Sequence, residues 1–224
     1  MGLKNISDKH PVAVIGAGSF GTAVANLLAE NGEVLLYSRR QDAVEVINKN
    51  RINNGQSMHT NIRATTDLQE ITESCYLIFP SISSDSFRVM MQRMSPLLRP
   101  DHMMIHCTKG FDIKLEPGKT ILDKDVILKP SDIYTMSKVI LEETCVKRIG
   151  CMSGPNLAKE LSSHHPAATV IASKFDEIIR EGENAIRSKR LQVYGNHDIY
   201  AVELAGVLKN SMALAAGALG GLGY

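Results

Sequence analysis

The chain has only four cysteines, Cys75, Cys107, Cys145 and Cys151, and no two of them form a CxxC pair. A secreted scaffold pairs its cysteines at tighter spacing, so these are expected to be reduced, mostly buried thiols of a cytoplasmic protein. Neither charge sign is in excess: 25 Lys and Arg face 24 Asp and Glu, for a formal net charge of +1. That balance argues against a dedicated nucleic-acid binder, which carries a basic surplus. No long apolar run opens the chain. MGLKNISDKH leads into PVAVIG, which is short and ends in glycine, so neither a signal peptide nor a membrane span is expected there. Ile6 stands where an N-myristoylation signal needs Ser or Thr. HExxH is absent, and the adjacent His164 and His165 cannot both face one side of a regular element, so with His197 they do not suggest a metal site. There is no internal repeat and no low-complexity linker. What remains is ordinary globular composition, 44% hydrophobic and 22% charged in 224 residues. This suffices for one sizeable core, or for one domain and the start of another.

Apolar patterning places strands over residues 12–15, 34–37, 77–79, 103–107, 147–152, 167–172 and 191–194. Helices are expected over 19–30, 41–49, 85–94, 131–143, 156–161 and 174–187. Residues 50–66 are polar and turn-rich and are assigned to a loop, and 115–130 to a surface excursion. Short apolar strands alternating with helices predict an α/β fold with a mostly parallel sheet flanked by helices. Residues 198–219 differ. Asp198 is a plausible cap for a long helix that becomes almost wholly apolar and small beyond Ser211. Glu203 and Lys209 within it argue against a membrane span. A helix of this kind needs partners over most of its surface. The expectation is therefore that further residues follow Tyr224, or that a partner chain covers it. Residues 1–196 are taken as one domain, and 197–224 as the first helix of an all-helical C-terminal one.

Gly16-Ala17-Gly18-Ser19-Phe20-Gly21 fits GxGxxG, between a strand and a helix. In a Rossmann-type turn of this kind Gly16 permits the tight bend, Gly18 lets a pyrophosphate approach the backbone, and Gly21 lets helix and strand pack closely. The helix N-terminus adds free N–H groups and a favourable dipole. An NAD site ends its second strand in Asp or Glu; here the sequence is Tyr37-Ser38-Arg39-Arg40. Two arginines suit a 2′-phosphate, which favours NADP(H). Asp42 keeps NAD(H) open, and the alternative is that Arg39 and Arg40 are solvated surface charges.

Two lysines lie in apolar surroundings. Lys109 follows a strand, at the sheet end where open parallel sheets bind ligands. Lys209 lies in the apolar helix, where burial would lower its pKa toward acid–base use. The alternatives are a surface lysine and a snorkelling one. Gly154, Asn156 and Ala158 follow another strand end, where a loop entering a helix can present N–H groups to a ligand.

Taken in order, GAGSFGTA (16–23), Thr108-Lys109-Gly110, SGPNLAKE (153–160) and ELAGVLKN (203–210) resemble the motifs of the soluble bacterial NAD(P)-dependent glycerol-3-phosphate dehydrogenases. The resemblance covers nearly all of the chain. It implies interconversion of sn-glycerol 3-phosphate and dihydroxyacetone phosphate, supplying the phospholipid precursor in the cytoplasm, with a homodimer open. It implies that Ser19, Phe20, Arg39 and Ala158 touch the dinucleotide. Lys109 would touch both cofactor and substrate, Gly154 and Asn156 would line the substrate, Lys209 would be the proton acceptor, and Asn210 would organise the site. Asn156-Leu157 departs from the family's Ser-Phe, and the stretch from Lys109 to Ser153 is longer than usual. Family members also continue well beyond this length. That part supplies an aspartate near the lysine, an Arg-Asn pair for the substrate phosphate and a late glutamate near the cofactor. The competing readings are a non-catalytic nucleotide-binding fragment and a related hydroxyacid dehydrogenase.

Overall fold

The computed structural model describes residues 10–116, 118–155, 158, 161 and 166–223. Its centre is an eight-stranded sheet. In chain order the sheet strands are β1 (Val12–Ile15), β2 (Val34–Tyr37), β5 (Ile62–Thr65), β6 (Leu77–Pro80), β7 (Met103–His106), β10 (Arg148–Ser153), β11 (Ala167–Ser173) and β12 (Leu191–Asn196). Two small hairpins supply β3 (Ile52–Asn53) with β4 (Gln56–Ser57), and β8 (Asp112–Ile113) with β9 (Ile133–Tyr134). The sheet order is β12-β11-β10-β7-β6-β1-β2-β5. Every neighbouring pair is parallel except β10 with β11, which run antiparallel.

The expected fold class is the one observed, and β1 shows why. All four of its residues are buried. Val12 and Val14 join one apolar cluster while Ala13 and Ile15 join the other. A strand covered on both faces must be apolar throughout, as a parallel sheet with helices on each side requires. On one face lie α1 (Ser19–Ala29) and α6 (Asp176–Ile186); on the other lie α3 (Leu68–Ser74), α4 (Ser84–Met94) and α5 (Met136–Glu143). The remaining described helices are α2 (Gln41–Asn50) and α7 (Ile199–Gly221).

Three expectations need correction. Residues 50–66 are not all loop: they hold the β3–β4 hairpin and the edge strand β5, which pairs Val34 with Ile62. Only Ile62 and Ala64 are apolar in β5, an alternation too short to stand out in sequence, and backbone bonds to β2 fix the strand. The helix expected over 131–143 starts at Met136, because the Thr135 hydroxyl caps it by accepting from Lys138 N and residues 133–134 pair with β8. Helix α3 was not anticipated; the Asp67 carboxylate caps it at Gln69 N. Most of the short helix expected over 156–161, together with His164 and His165, lies outside the described residues.

The surface excursion leaves and returns through β8 and β9. Arg88 on α4 holds its base, bonding Asp112 at 2.7 Å, Glu142 at 2.7 Å and Glu143, while its guanidinium lies 5.2 Å from the Tyr134 ring.

Helix α7 starts where expected, with the Asp198 carboxylate accepting from Ala201 N. By length and composition alone it could cross a membrane. Its first turns pack on β10 and β11, burying Glu203 and Gly206. A Cβ on Gly206 would come within 2.4 Å of Ser153 Oγ, so a larger residue there would have to turn the Ser153 hydroxyl aside at the end of β10. From Ser211 to Gly223 every residue is exposed, Met212 by 71% and Leu214 by 76%.

Candidate dinucleotide site and its neighbouring lysines

The three glycines of the turn have three different physical jobs. Gly16 has φ +114°, and a Cβ there would strike Ser81 O at 2.8 Å. Gly21 on α1 passes so close to Gly16 that a Cβ would lie 1.9 Å from the Gly16 carbonyl oxygen. Gly18 has ordinary extended angles (φ −72°, ψ 176°), and a Cβ would meet nothing within 4 Å. Its lack of a side chain serves no contact within the chain; it keeps a surface clear for something to approach. Helix α1 begins there with no side-chain cap and no acidic residue in its first turn. Its leading N–H groups and the positive end of its dipole face the same open space, which suits an anion.

This separation makes a testable pair. Gly21→Ala is expected to destabilise the fold by about 1–3 kcal/mol through overpacking. Gly18→Ala should leave the urea midpoint unchanged or slightly raised, because its backbone already suits an L-residue, yet weaken dinucleotide binding. Urea unfolding and a binding titration on both variants check it.

Two crevices meet at this turn. One, of about 360 Å³, is lined by Gly16, Gly18, Ser38, Arg39, Arg40 and Met90 among others. The other, also about 360 Å³, runs from Gly18, Ser19 and Phe20 to Cys107, Thr108 and Lys109. They share Gly18 and Ser81 to Ser83, so they form one path across the carboxyl ends of β2, β1, β6 and β7. That path could hold an extended dinucleotide, with its pyrophosphate at the helix N-terminus. A larger cavity, about 850 Å³, lies on another side of α1 and is lined by Ala23, Asn26, Leu27, Ala158 and Leu161 among others. Ala158 is placed there rather than in the crevice path; Ser19 borders both.

The two arginines, alike in sequence, differ in structure. Arg40 pairs with Asp42 at 3.4 Å, and its backbone N–H donates to Ser38 Oγ. Arg39 is exposed on the crevice and, among the described residues, has no ion pair. No carboxylate stands at the end of β2: Ser38 follows Tyr37.

Lys109 Nζ donates to Gly154 O at 3.1 Å, so β7 and β10 are linked just beyond their carboxyl ends. Burial lowers the Lys109 pKa, and the charge of Lys209 lowers it further. The two lysines, 100 residues apart in sequence, are therefore electrostatic neighbours, and both are half-buried. Gly110 follows with φ +149°, and a Cβ there would lie 2.6 Å from Ser84 Oγ. Burial pushes the Cys107 thiol beside this site up to about 12, so it stays protonated. Asn210 is exposed on α7, and Asn156 lies outside the described residues.

Sequence reasoning missed the group that seats α7. His106, the last residue of β7, places Nε2 2.9 Å from Glu203 Oε1 and 3.2 Å from Ser137 Oγ. The same Glu203 oxygen accepts from Ser137 N at 2.9 Å. All three residues are buried. Burial alone would raise the Glu203 carboxyl; the His106 bond and charge and the Ser137 N–H outweigh it and hold it below its ordinary value. The only signal in sequence was a carboxylate within a run of small apolar residues, a pattern that calls for a buried partner.

Residues 11–179 match the family model described as the NAD-dependent glycerol-3-phosphate dehydrogenase N-terminus. Glycerol-3-phosphate dehydrogenase [NAD(P)+] of Saccharophagus degradans is 36% identical over 98% of this chain and 58% of its own length. The chain thus spans little more than half of that relative. A crystal structure of glycerol-3-phosphate dehydrogenase from Coxiella burnetii superposes with a TM-score of 0.78 at 30% identity, covering 93% of this chain and 60% of that one. That of Plasmodium falciparum, at 19% identity and a TM-score of 0.82, speaks for the fold alone. A mostly parallel sheet whose glycine turn is open at Gly18, in a chain matched over three-quarters of its length by one family model, places this chain in the NAD-dependent glycerol-3-phosphate dehydrogenase family, in the part that forms its N-terminus.

Proposed function

We propose that these residues bind a nicotinamide dinucleotide, NADP(H) in preference to NAD(H), and carry two lysines of a dehydrogenase acting on glycerol 3-phosphate and dihydroxyacetone phosphate. The observation that carries it is the crevice path from Arg39, past the uncapped start of α1 at Gly18, to Lys109. Binding is the function this chain supplies by itself. Turnover belongs to a protein that also provides what the rest of the relatives' length provides, because the apolar half of α7 is uncovered here. On this reading residues 197–224 open a helical substrate domain.

The bound nicotinamide supplies the hydride chemistry at C2 of the substrate. Arg39 binds the 2′-phosphate, and the Ser19 and Phe20 N–H groups at the start of α1 hold the pyrophosphate. Lys109, tethered to Gly154 O, holds the substrate and favours negative charge on its oxygen. Lys209 gives a proton to that oxygen during reduction and takes it back in the reverse direction. A half-buried pair of positive charges also suits a small phosphorylated substrate.

The test is a titration of this chain with NADPH and NADH, followed by direct nicotinamide fluorescence because the chain has no tryptophan. Saturable binding that favours NADPH is expected. Arg39→Ala should weaken NADPH about tenfold or more and leave NADH nearly unchanged, as expected for loss of one guanidinium–phosphate contact. An unchanged preference would remove Arg39 from the phosphate site.

A further inference from the structure

The β3–β4 hairpin turns through Asn54 (φ 48°) and Gly55 (φ 73°), the two successive left-handed residues that a tight two-residue hairpin needs. It reaches over the glycine-rich turn. Asn53 Nδ2 donates to Ala17 O at 3.0 Å and to Thr22 Oγ1 at 2.8 Å. Asn54 Nδ2 donates to the same two atoms, at 2.9 Å and 3.2 Å. Thr22 Oγ1 in turn donates to Gly18 O at 2.8 Å. The count closes. A carbonyl oxygen has two lone pairs, and both on Ala17 are taken. A hydroxyl offers one proton and two lone pairs, and all three on the fully buried Thr22 are used. Because Ala17 O can only accept, each asparagine must present its NH2 to it.

We infer that Asn53 and Asn54 are positioning residues for the dinucleotide pyrophosphate, acting through the Ala17–Gly18 peptide; this rests on the dinucleotide-binding reading above. The peptide is trans, so its N–H points opposite to its C=O. Holding the Ala17 carbonyl toward the hairpin turns the Gly18 N–H away from it, and nothing in the chain lies within 4 Å of where a Gly18 Cβ would stand. Without the latch that peptide is free to rotate, and rotation would present a carbonyl oxygen to a phosphate. An anion then meets repulsion where it had a donor. Neither asparagine needs to touch the ligand.

The experiment uses the present chain and two ligands, NADPH and 2′-AMP. The second has the adenosine and 2′-phosphate of the first but no pyrophosphate, so it reports folding and the Arg39 side alone. For the Asn53→Ala/Asn54→Ala double variant, the NADPH dissociation constant should rise at least about tenfold, the worth of one charge-assisted hydrogen bond. Its 2′-AMP constant should stay within about twofold of the parent. A double variant whose NADPH constant is unchanged overturns the inference. So does one that loses both ligands equally, since that would mark a general packing role. A parent chain that binds neither ligand overturns the dinucleotide reading and this inference with it.

Discussion

Glu203→Ala is expected to lower the unfolding free energy by about 3–5 kcal/mol at neutral pH, the usual result of stripping a buried ionisable group of its partner. His106 would lose its 2.9 Å contact, and Ser137 N its acceptor. His106 Nδ1 already has no hydrogen-bond partner among the described residues, so nothing nearby compensates. The same substitution releases α7 from β7 and should loosen the seat of Lys209, six residues further along. Glu203→Gln keeps an acceptor for Ser137 N and should cost less. Acid provides a second signature. The folded-state pKa of Glu203 lies below its ordinary 4.5, so its stabilisation is complete above about pH 4.5 and is lost as pH falls through the lower folded value. The parent should therefore lose stability more steeply than Glu203→Gln does as pH falls below about 4.5. Urea midpoints at pH 7, 5 and 4 for the three proteins measure both effects; superimposable acid profiles would show that the carboxylate is not held by His106.

Lys209→Ala carries the largest expected effect on chemistry. In a protein of the relatives' full length, it should reduce kcat by about 10²–10⁴-fold, the usual contribution of a positioned acid–base group. NADPH binding should hardly change, because the crevice path lies along Arg39, Gly18 and Lys109 and does not include Lys209. Lys209→Arg should not rescue turnover: a guanidinium keeps the charge but does not release a proton at these pH values. Lys109→Ala should differ, raising KM as well as lowering kcat, because Lys109 borders the crevice and its ammonium is held at Gly154. Near-normal turnover of Lys209→Ala would remove it from proton transfer. Equal loss of turnover and of NADPH affinity would assign it to cofactor binding.

These roles were unequally legible in the sequence. The glycine turn, the lysine after β7 and the apolar helix with its own lysine each announce themselves within a few residues, because their requirements are local. A tight bend needs a glycine, a close approach needs a missing Cβ, and a doubly covered strand must be apolar. The family motifs extended that reading to the likeness with known dehydrogenases. The sequence by itself therefore determined the α/β class, the turn at Gly16 to Gly21 and the placing of α7. Only the tertiary structure decided that Arg39 is open while Arg40 is paired with Asp42. The same holds for the antiparallel run of β11 against β10, the pairing of β5 with β2, the His106–Glu203 contact, and the two asparagines over the glycine turn. Each of the last four joins segments far enough apart in the chain, up to 97 residues for His106 and Glu203, that neither partner leaves a periodicity or a turn signal near the other. A hydrogen bond needs only a donor and an acceptor brought within about 3 Å, and which ones meet is set by packing of the whole sheet.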